Sequence, residues 1–417
     1  MRSVDDLEFG HVADTDDEHQ RFAETVALGF HETLLDAWLP YWRATTEFDR
    51  TWVARDGDRL VGTCAVHSFW MSLPGGGEAP CAGLTAVGVA PDWRRRGVLT
   101  RLMRWHLDDA RRRGEPFAAL YASEAAIYGR FGYGVAAPMV GLRVPAVHAA
   151  PAGAAGLPDV RLVEVTGTLD APAAALDELR AIERAARAQR GGMMSRDDVW
   201  WRSWMAADPP DDRDGFTVRR CAVVDGRGYV LFRTKGRWEE GVPRGELAVV
   251  ELVAIDPEAT AALWAFLAGI DLVETITSPL EPADTPLPHL VADRNRVRVT
   301  ADDPLWLRLV DVPAALAVRT YDVDDVLVVE VADALLPANA GTWRVEVRDG
   351  TATVSPAPDA DPDLGLDVSG LGSLLLGGVR ATELAGARRV VEHTAGALRR
   401  ADLLFSVGAA PWNPFMF

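Results

Sequence analysis

One stretch of this 417-residue chain restricts its fold more than any other. Leu84–Ala90 is a short apolar run that stops at Pro91, which has no N–H to give to a strand ladder. Arg94, Arg95, Arg96 and Gly97 follow. Then Leu99, Leu102, Met103, His106, Leu107 and Ala110 recur at i, i+3, i+4, i+7, the spacing of one apolar helix face. The helix runs out near Gly114, and Phe117–Ala122 is strand-like again. A strand, a helix and a strand in this order make an α/β layer, because the helix must bury its apolar face on the sheet.

The same stretch carries chemistry. The first N–H groups of a helix have no internal partner and bear partial positive charge. They bind phosphate, and Gly97 lets a pyrophosphate approach the backbone. Arg94, Arg95 and Arg96 add charge, and Gly88 inside the strand marks a bulge or a close backbone approach. A capped helix with a solvated arginine face accounts for the spacing equally well.

Composition narrows the partners. Lys+Arg number 43 against 61 Asp+Glu, a net charge of −18. Nucleic acid and anionic membranes are excluded as main partners, because neutralising phosphate needs net basic surface. A soluble enzyme or a binder of cationic small molecules fits. No apolar run approaches the ~18 residues of a membrane span. The first residues, Met1–Asp6, lack a cationic-apolar signal pattern, so the reading is cytoplasmic. The three cysteines form no CxxC and the histidines no HExxH, so no metal is expected. Lys235 is the only lysine, which disfavours Schiff-base chemistry and a Walker A site.

At ~150 residues per domain the length predicts about three domains. Phe48–Ala54 and Arg59–Phe69 read as strands about the turn Asp56-Gly57-Asp58, and Ser72–Pro80 as a loop. Residues 146–158 read as a linker. Beyond it, Pro172–Arg190 is helical with Asp170 as its cap, and Phe216–Val224 with Gly228–Thr234 form a hairpin. Glu246–Ile255 and Ala259–Ala268 are strand and helix. Glu251-Leu-Val-Ala-Ile-Asp-Pro257 repeats Leu84-Thr-Ala-Val-Gly-Val-Ala-Pro91 as a strand ending at proline before a helix, which points to a duplicated domain lacking the arginine turn. Residues 286–297 join a third domain with strands at Val326–Val331 and Thr342–Arg348 and a last helix around Glu392–Phe405. The apolar end, Ala410–Phe417, is built for burial, unlike the polar, frayed ends most chains have.

Arg94-Arg95-Arg96-Gly97 after a strand resembles the acyl-CoA signature R/Q-x-x-G-x-G/A of the Gcn5-related N-acetyltransferases, with Leu99 departing at the last position. Leu120-Tyr-Ala-Ser-Glu-Ala-Ala-Ile-Tyr-Gly-Arg-Phe-Gly-Tyr-Gly134 is similar to the A-S-E-x-x-I-Y-G-R-F-G-Y-G stretch of the enhanced intracellular survival (Eis) acetyltransferases. Further likenesses lie at Pro286–Leu290, Leu305–Arg308, Val312–Leu316 and Leu371–Leu374, so the resemblance covers the whole chain. It implies an α/β (α+β) fold: a catalytic acetyl-CoA-binding domain at 1–147, a degenerate acetyltransferase-like domain without a CoA site at 148–297, and a sterol-carrier-like domain at 298–417. It also implies a homohexamer.

The resemblance places roles on residues. The amides of Val87 and Val89, flanking Gly88, would hold the pantetheine arm. The amides of Arg95–Thr100 (Arg95, Arg96, Gly97, Val98, Leu99, Thr100), with the Arg94–Arg96 side chains, would hold the pyrophosphate. Ser123 would contact CoA, and Tyr128 would protonate the departing thiolate. The terminal carboxylate of Phe417 would be the general base. Arg130 reads as a structural ion pair. Phe30, His31, Glu32, Trp38, Trp42 and Met416 would line the pocket of a cationic amine, and Met416 stands where relatives carry glutamate. Tyr128 is otherwise a core tyrosine, Ser123 a helix cap, and Trp38 and Trp42 a packed face. The implied activity is N-acetyl transfer from acetyl-CoA to amines such as aminoglycosides or other polyamines, by direct attack. A non-catalytic acyl-CoA sensor and a lipid-binding protein are the alternatives.

Overall fold

The computed structural model describes residues 3–417 except 168, 172 and 207, with side chains at all of these but 204–206, 302 and 303. The expected helix start at Pro172 and the N-terminal pair Met1-Arg2 lie outside the described residues.

The first unit opens with β1 (Glu8–His11) and α1 (Asp16–Phe30). Thr15 starts α1 by accepting from the Glu18 N–H, and Asp16, Asp17 and Glu18 fill its first turn, where acidic groups oppose the helix dipole. Then come α2 (Leu39–Thr45), β2 (Thr51–Asp56), β3 (Arg59–Ser72), β4 (Glu78–Val89), α3 (Val98–Arg112), β5 (Phe117–Tyr121), α4 (Ala125–Tyr128) and β6 (Gly134–Pro145). Helix α3 buries Leu102, Met103, His106, Leu107 and Ala110, the face its spacing predicts. The expected loop Ser72–Pro80 is shorter than it reads: β3 runs to Ser72 and β4 starts at Glu78, leaving a turn in which Gly75 and Gly76 have positive φ.

The second unit holds β7 (Arg161–Val163), α5 (Leu176–Arg187), α6 (Asp198–Trp200), β8 (Arg220–Val224), β9 (Gly228–Lys235), a small pair β10 (Trp238–Glu239) and β11 (Val242–Pro243), β12 (Gly245–Ala254), α7 (Pro257–Ala268) and β13 (Val273–Pro282). Helix α5 begins later than expected, with Ala175 and not Asp170 at its N-cap. The segment read as a linker is pinned: the Ala152 N–H bonds the Leu290 carbonyl at 2.7 Å and Ala149 is buried.

One sheet joins the two units. Its order is β1-β2-β3-β4-β5-β14-β6-β13-β12-β9-β8-β7, where β14 is Arg298–Leu309. The centre of that order is an exchange. β14, late in the chain, pairs antiparallel with β5 (Leu305 opposite Tyr121), while β6, early in the chain, pairs antiparallel with β13 (Ile276 opposite Val144). β14 and β6 also pair with each other.

The third unit is a five-stranded sheet of order β17-β16-β15-β18-β19: β15 (Asp325–Ala332), β16 (Gly341–Arg348), β17 (Thr351–Pro356), β18 (Leu364–Asp367) and β19 (Val390–Glu392). The helix Val368–Leu375 lies directly on the exchanged strands. A Cβ on Gly134 would sit 1.9 Å from the Ser369 carbonyl oxygen, and one on Gly372 would sit 2.5 Å from that of Leu307, so both positions need glycine. Arg308, fully buried on β14, binds Asp333 of the third unit at 2.7 and 2.8 Å and the Phe131 carbonyl at 2.9 Å. Among the described residues no helix is long and apolar enough to cross a membrane.

Candidate active site

Strands β4 and β5 run parallel but stay paired only where Cys81–Gly83 face Phe117–Ala119. Beyond these residues they part. What drives β4 away is a bulge against β3: Thr63 faces Gly88 and Ala65 faces Thr85, so Ala86 and Val87 stand opposite Cys64 alone. The strained residue is Ala86, at φ 51°, while Gly88, which the sequence marks as a bulge or a close backbone approach, closes the bulge opposite Thr63. Gly88 serves a close approach: a Cβ there would lie 3.0 Å from the Thr63 hydroxyl on β3.

The opening between the strands connects two cavities. One, of about 740 Å³, is lined by Val87, Gly88, Val89, the arginine turn and the start of α3. Arg95 (φ 61°) and Gly97 (φ 93°) are left-handed there, and no side chain caps α3. Its N–H groups therefore face the cavity with their partial charge unspent, as a pyrophosphate site requires. Arg94 and Arg95 line this cavity, with Val98, Leu99 and Thr100. Arg96 is not on its wall; its guanidinium lies 5.3 Å from the Trp93 ring centre. Arg130, read from sequence as an ion pair, lines the cavity with its guanidinium over the Phe131 ring. The second unit's counterpart of α3 is closed. Asp256 caps α7 through the Ala259 N–H at 2.9 Å and is held by Arg227 at 2.7 and 2.8 Å, so an anion already occupies that terminus.

The other cavity, of about 450 Å³, lies on the far side of the opening. Phe30, Glu32, Trp42, Met416 and Phe417 line it, as expected, whereas Trp38 packs on Tyr41 at 5.8 Å away from its wall. His31 instead lies on the wall of the larger cavity. Sequence reasoning missed His67, Tyr121, Glu47 and Trp200. Trp200 comes from α6 of the second unit, and no local signal ties it to β3 and β4.

The two cavities share Phe30, Val87, Ser123 and Tyr128. Tyr128 ends α4 and is 8% exposed. Burial pushes its phenol up to about 12, helped by Cys64 and Glu124, so it is a neutral O–H donor at neutral pH. Phe417 reaches the same region from the third unit. Its ring lies 4.9 Å from Phe69 and 5.3 Å from Tyr121, in a space that exists because residue 83 is glycine: a Cβ there would lie 2.5 Å from Phe69 and 3.1 Å from Phe417.

The tail behind Phe417 is bolted down. Trp412 donates to the Leu280 carbonyl at 3.0 Å, and its own N–H bonds the Gly191 carbonyl at 3.0 Å. Asn413, fully buried, accepts from the Met194 N–H at 2.9 Å and donates to the Tyr121 hydroxyl at 3.1 Å and to the Phe415 carbonyl. Phe415 lies 4.1 Å from the Arg196 guanidinium, which is paired with Glu251 at 2.7 and 3.0 Å.

A bulged strand splayed from its parallel neighbour, with an uncapped helix and an arginine-glycine turn at its end, defines an acetyltransferase of the GNAT class. Family models agree. Those for the acetyltransferase (GNAT) domain match residues 13–136 and 192–318, and one for the sterol carrier protein domain matches 312–414. An uncharacterized N-acetyltransferase of Streptomyces avermitilis is 42% identical over 380 residues, 90% of this chain and 91% of the relative. N-acetyltransferase Eis of Mycobacterium tuberculosis is 36% identical over 395 residues, again 90% and 91%. The crystal structure of Eis1 from Mycobacterium abscessus covers 98% of this chain and 100% of its own, with TM-score 0.85 and 34% identity. The chain belongs to the Eis-type N-acetyltransferases of the GNAT superfamily, and its fold implies use of acetyl-CoA.

Proposed function

We propose that the chain transfers an acetyl group to a primary amine by direct attack, with both substrates bound together. The observation that carries this reading is the meeting of the two cavities at Tyr128 in the gap between β4 and β5. Acetyl-CoA, when bound, supplies the acetyl thioester. The larger cavity is its place. The N–H groups of Val87 and Val89 on the bulged strand would orient the thioester arm, and the amides from Arg95 to Thr100, with Arg94 and Arg95, would hold the pyrophosphate. Ser123 stands on the wall between donor and acceptor.

Tyr128 holds the proton that the leaving sulfur takes up. A free phenol and a free thiol lie near ~10 and ~8.5. Burial keeps Tyr128 protonated, and the same removal from water makes the departing thiolate more basic, so the phenol can pass its proton to the sulfur. The terminal carboxylate of Phe417 takes the proton of the attacking amine. The acceptor is a cationic primary amine, and aminoglycosides and other polyamines, the acceptors the resemblance implies, form the first panel. The second unit carries no CoA site, which the capped end of α7 supports. The third unit's task is to deliver Phe417. A cytoplasmic homohexamer is part of the same reading, and its mass in solution tests the assembly.

The test is turnover of Tyr128→Phe, followed as CoA thiol release. We expect kcat to fall by about 10²–10³-fold with acetyl-CoA affinity nearly intact. Loss of Phe417 alone should act similarly. An unchanged kcat in Tyr128→Phe would remove its assigned role and return the acyl-CoA sensor to first place.

A further inference from the structure

Helix α3 buries a histidine on its apolar face. His106 is fully buried, in line with Leu102, Met103 and Ala110. Its Nε2 lies 2.8 Å from the Tyr133 hydroxyl, and its Nδ1 is buried without a partner among the described residues. Burial, with Arg50 and Arg308 nearby, holds the imidazole down to about 3, so it is neutral at working pH. A leucine here would fill the same face with no polar atom to satisfy, whereas a half-satisfied buried imidazole is costly. The reaction derived above uses neither His106 nor Tyr133.

Tyr133 connects the histidine to the site. It is fully buried, five residues after Tyr128 and directly before β6. Its N–H bonds the Tyr128 carbonyl at 3.3 Å. Its ring meets the Tyr128 ring edge-on, with centres 6.1 Å and planes 73° apart. The Tyr128 hydroxyl makes no hydrogen bond to a described residue; burial and nearby charge alone shift it. The phenol is therefore aimed by the packing of its ring and not by a bond at its oxygen. Arg308 holds the intervening turn from the other side, by donating to the Phe131 carbonyl at 2.9 Å.

Helix α3 is also the helix whose first N–H groups face the larger cavity. A bond from its third turn to Tyr133 links the element that would hold the donor's phosphates to the ring beside the acid. Catalytic groups work only when held within about 0.5 Å of the productive position by neighbours that are themselves locked.

We propose that His106 and Tyr133 form a strut that sets the position of Tyr128 against the departing thiolate, which makes both of them positioning residues for the transfer. The proposal rests on the acid role given to Tyr128 above.

The experiment measures kcat, KM for acetyl-CoA and Tm of the full-length protein, with the best amine of the panel above. The variants are His106→Leu, Tyr133→Phe and the two together, each also combined with Tyr128→Phe. We expect either single replacement to lower kcat about tenfold, with KM for acetyl-CoA within twofold of the wild type. The two together should lose no more kcat than either alone, because all three variants lack the same bond. Tm should fall in the single variants, which strand a buried polar group, and recover in the pair, where neither group remains. Combined with Tyr128→Phe, the replacements should leave the residual kcat unchanged within twofold, since no proton is left to position. Tyr133→Phe removes a single oxygen and decides alone if a histidine variant fails to fold. A kcat within twofold of the wild type in Tyr133→Phe, a kcat that recovers with Tm in the pair, or an equal loss in the Tyr128→Phe background would make the bond purely structural and overturn the proposal. Full kcat in Tyr128→Phe itself, or turnover of no amine at all, would instead remove the acid reading, and the strut would fall with it.

Discussion

Tyr128 shows how far one residue's chemistry follows from its surroundings. Next to Ile127 and Gly129 it is an ordinary core tyrosine, and only the surrounding stretch from Ala122 to Gly134 marks it as more. Its height on the proton scale was not legible, because that depends on burial by elements far away in the chain. Burial raises a phenol by penalising its charged form. The sign for activity follows: the protonated form is the useful one, and a raised value extends it to higher pH. We expect kcat to rise as the amine and the base lose protons, with no falling limb due to Tyr128 up to about pH 10, the ordinary phenol value. A kcat–pH profile checks this. A falling limb below pH 10 that disappears in Tyr128→Phe would contradict it. Arg130 teaches the reverse lesson. Its type suggested an ion pair, but the chain turns it onto the wall of the larger cavity.

Among the elements, the bulged strand and the tail decide the site. Gly88 pointed to irregularity in β4, and irregularity is there, two residues earlier at Ala86. Register against β3 sets the bulge, and register is a property of the pair, not of one strand. The tail was legible as a buried end from its apolar composition. Its seat was not, since Gly191, Met194, Leu280 and Tyr121 are distant in sequence. Asn413 is the sharpest case. Replacing it with alanine strands the buried Met194 N–H, whose loss of a partner costs about 1–3 kcal/mol, and releases the part-buried Phe415 carbonyl. It also frees Tyr121 and the chain end together. We expect Asn413→Ala to lower kcat about tenfold, with KM for acetyl-CoA unchanged and a lower Tm. Steady-state kinetics beside thermal unfolding separates the two effects. Full kcat at a lowered Tm would make Asn413 a purely structural residue.

For the molecule as a whole, the site is built from every part. The first unit supplies both cavities, the second supplies Trp200 and the seat of the tail, and the third supplies Phe417. The exchange of β6 and β14 ties the first two together, and Arg308 with Asp333 ties in the third. A fragment of residues 1–147 would keep β6 without β13 and lose β14, leaving β5 and β6 with open, apolar edges. We expect it to be insoluble or unable to bind acetyl-CoA, and the full chain to unfold in one cooperative step. A soluble fragment with the affinity of the whole protein would refute this.

The sequence by itself determined the α/β character, the strand–turn–helix that ends in Arg94–Gly97, the repeat of that unit, the apolar tail and, through resemblance, the family. All of these rest on patterns shorter than about 20 residues, in which neighbours in the chain are neighbours in space. Tertiary structure alone decided which strands are exchanged, where β4 and β5 part, and which helix end is left uncapped for a phosphate. The strands Gly134–Pro145 and Arg298–Leu309 carry no clean alternation because they are packed in mid-sheet, and their pairing spans more than 150 residues of chain. Contacts at that separation are settled by packing and register across the whole sheet, and no local pattern records them.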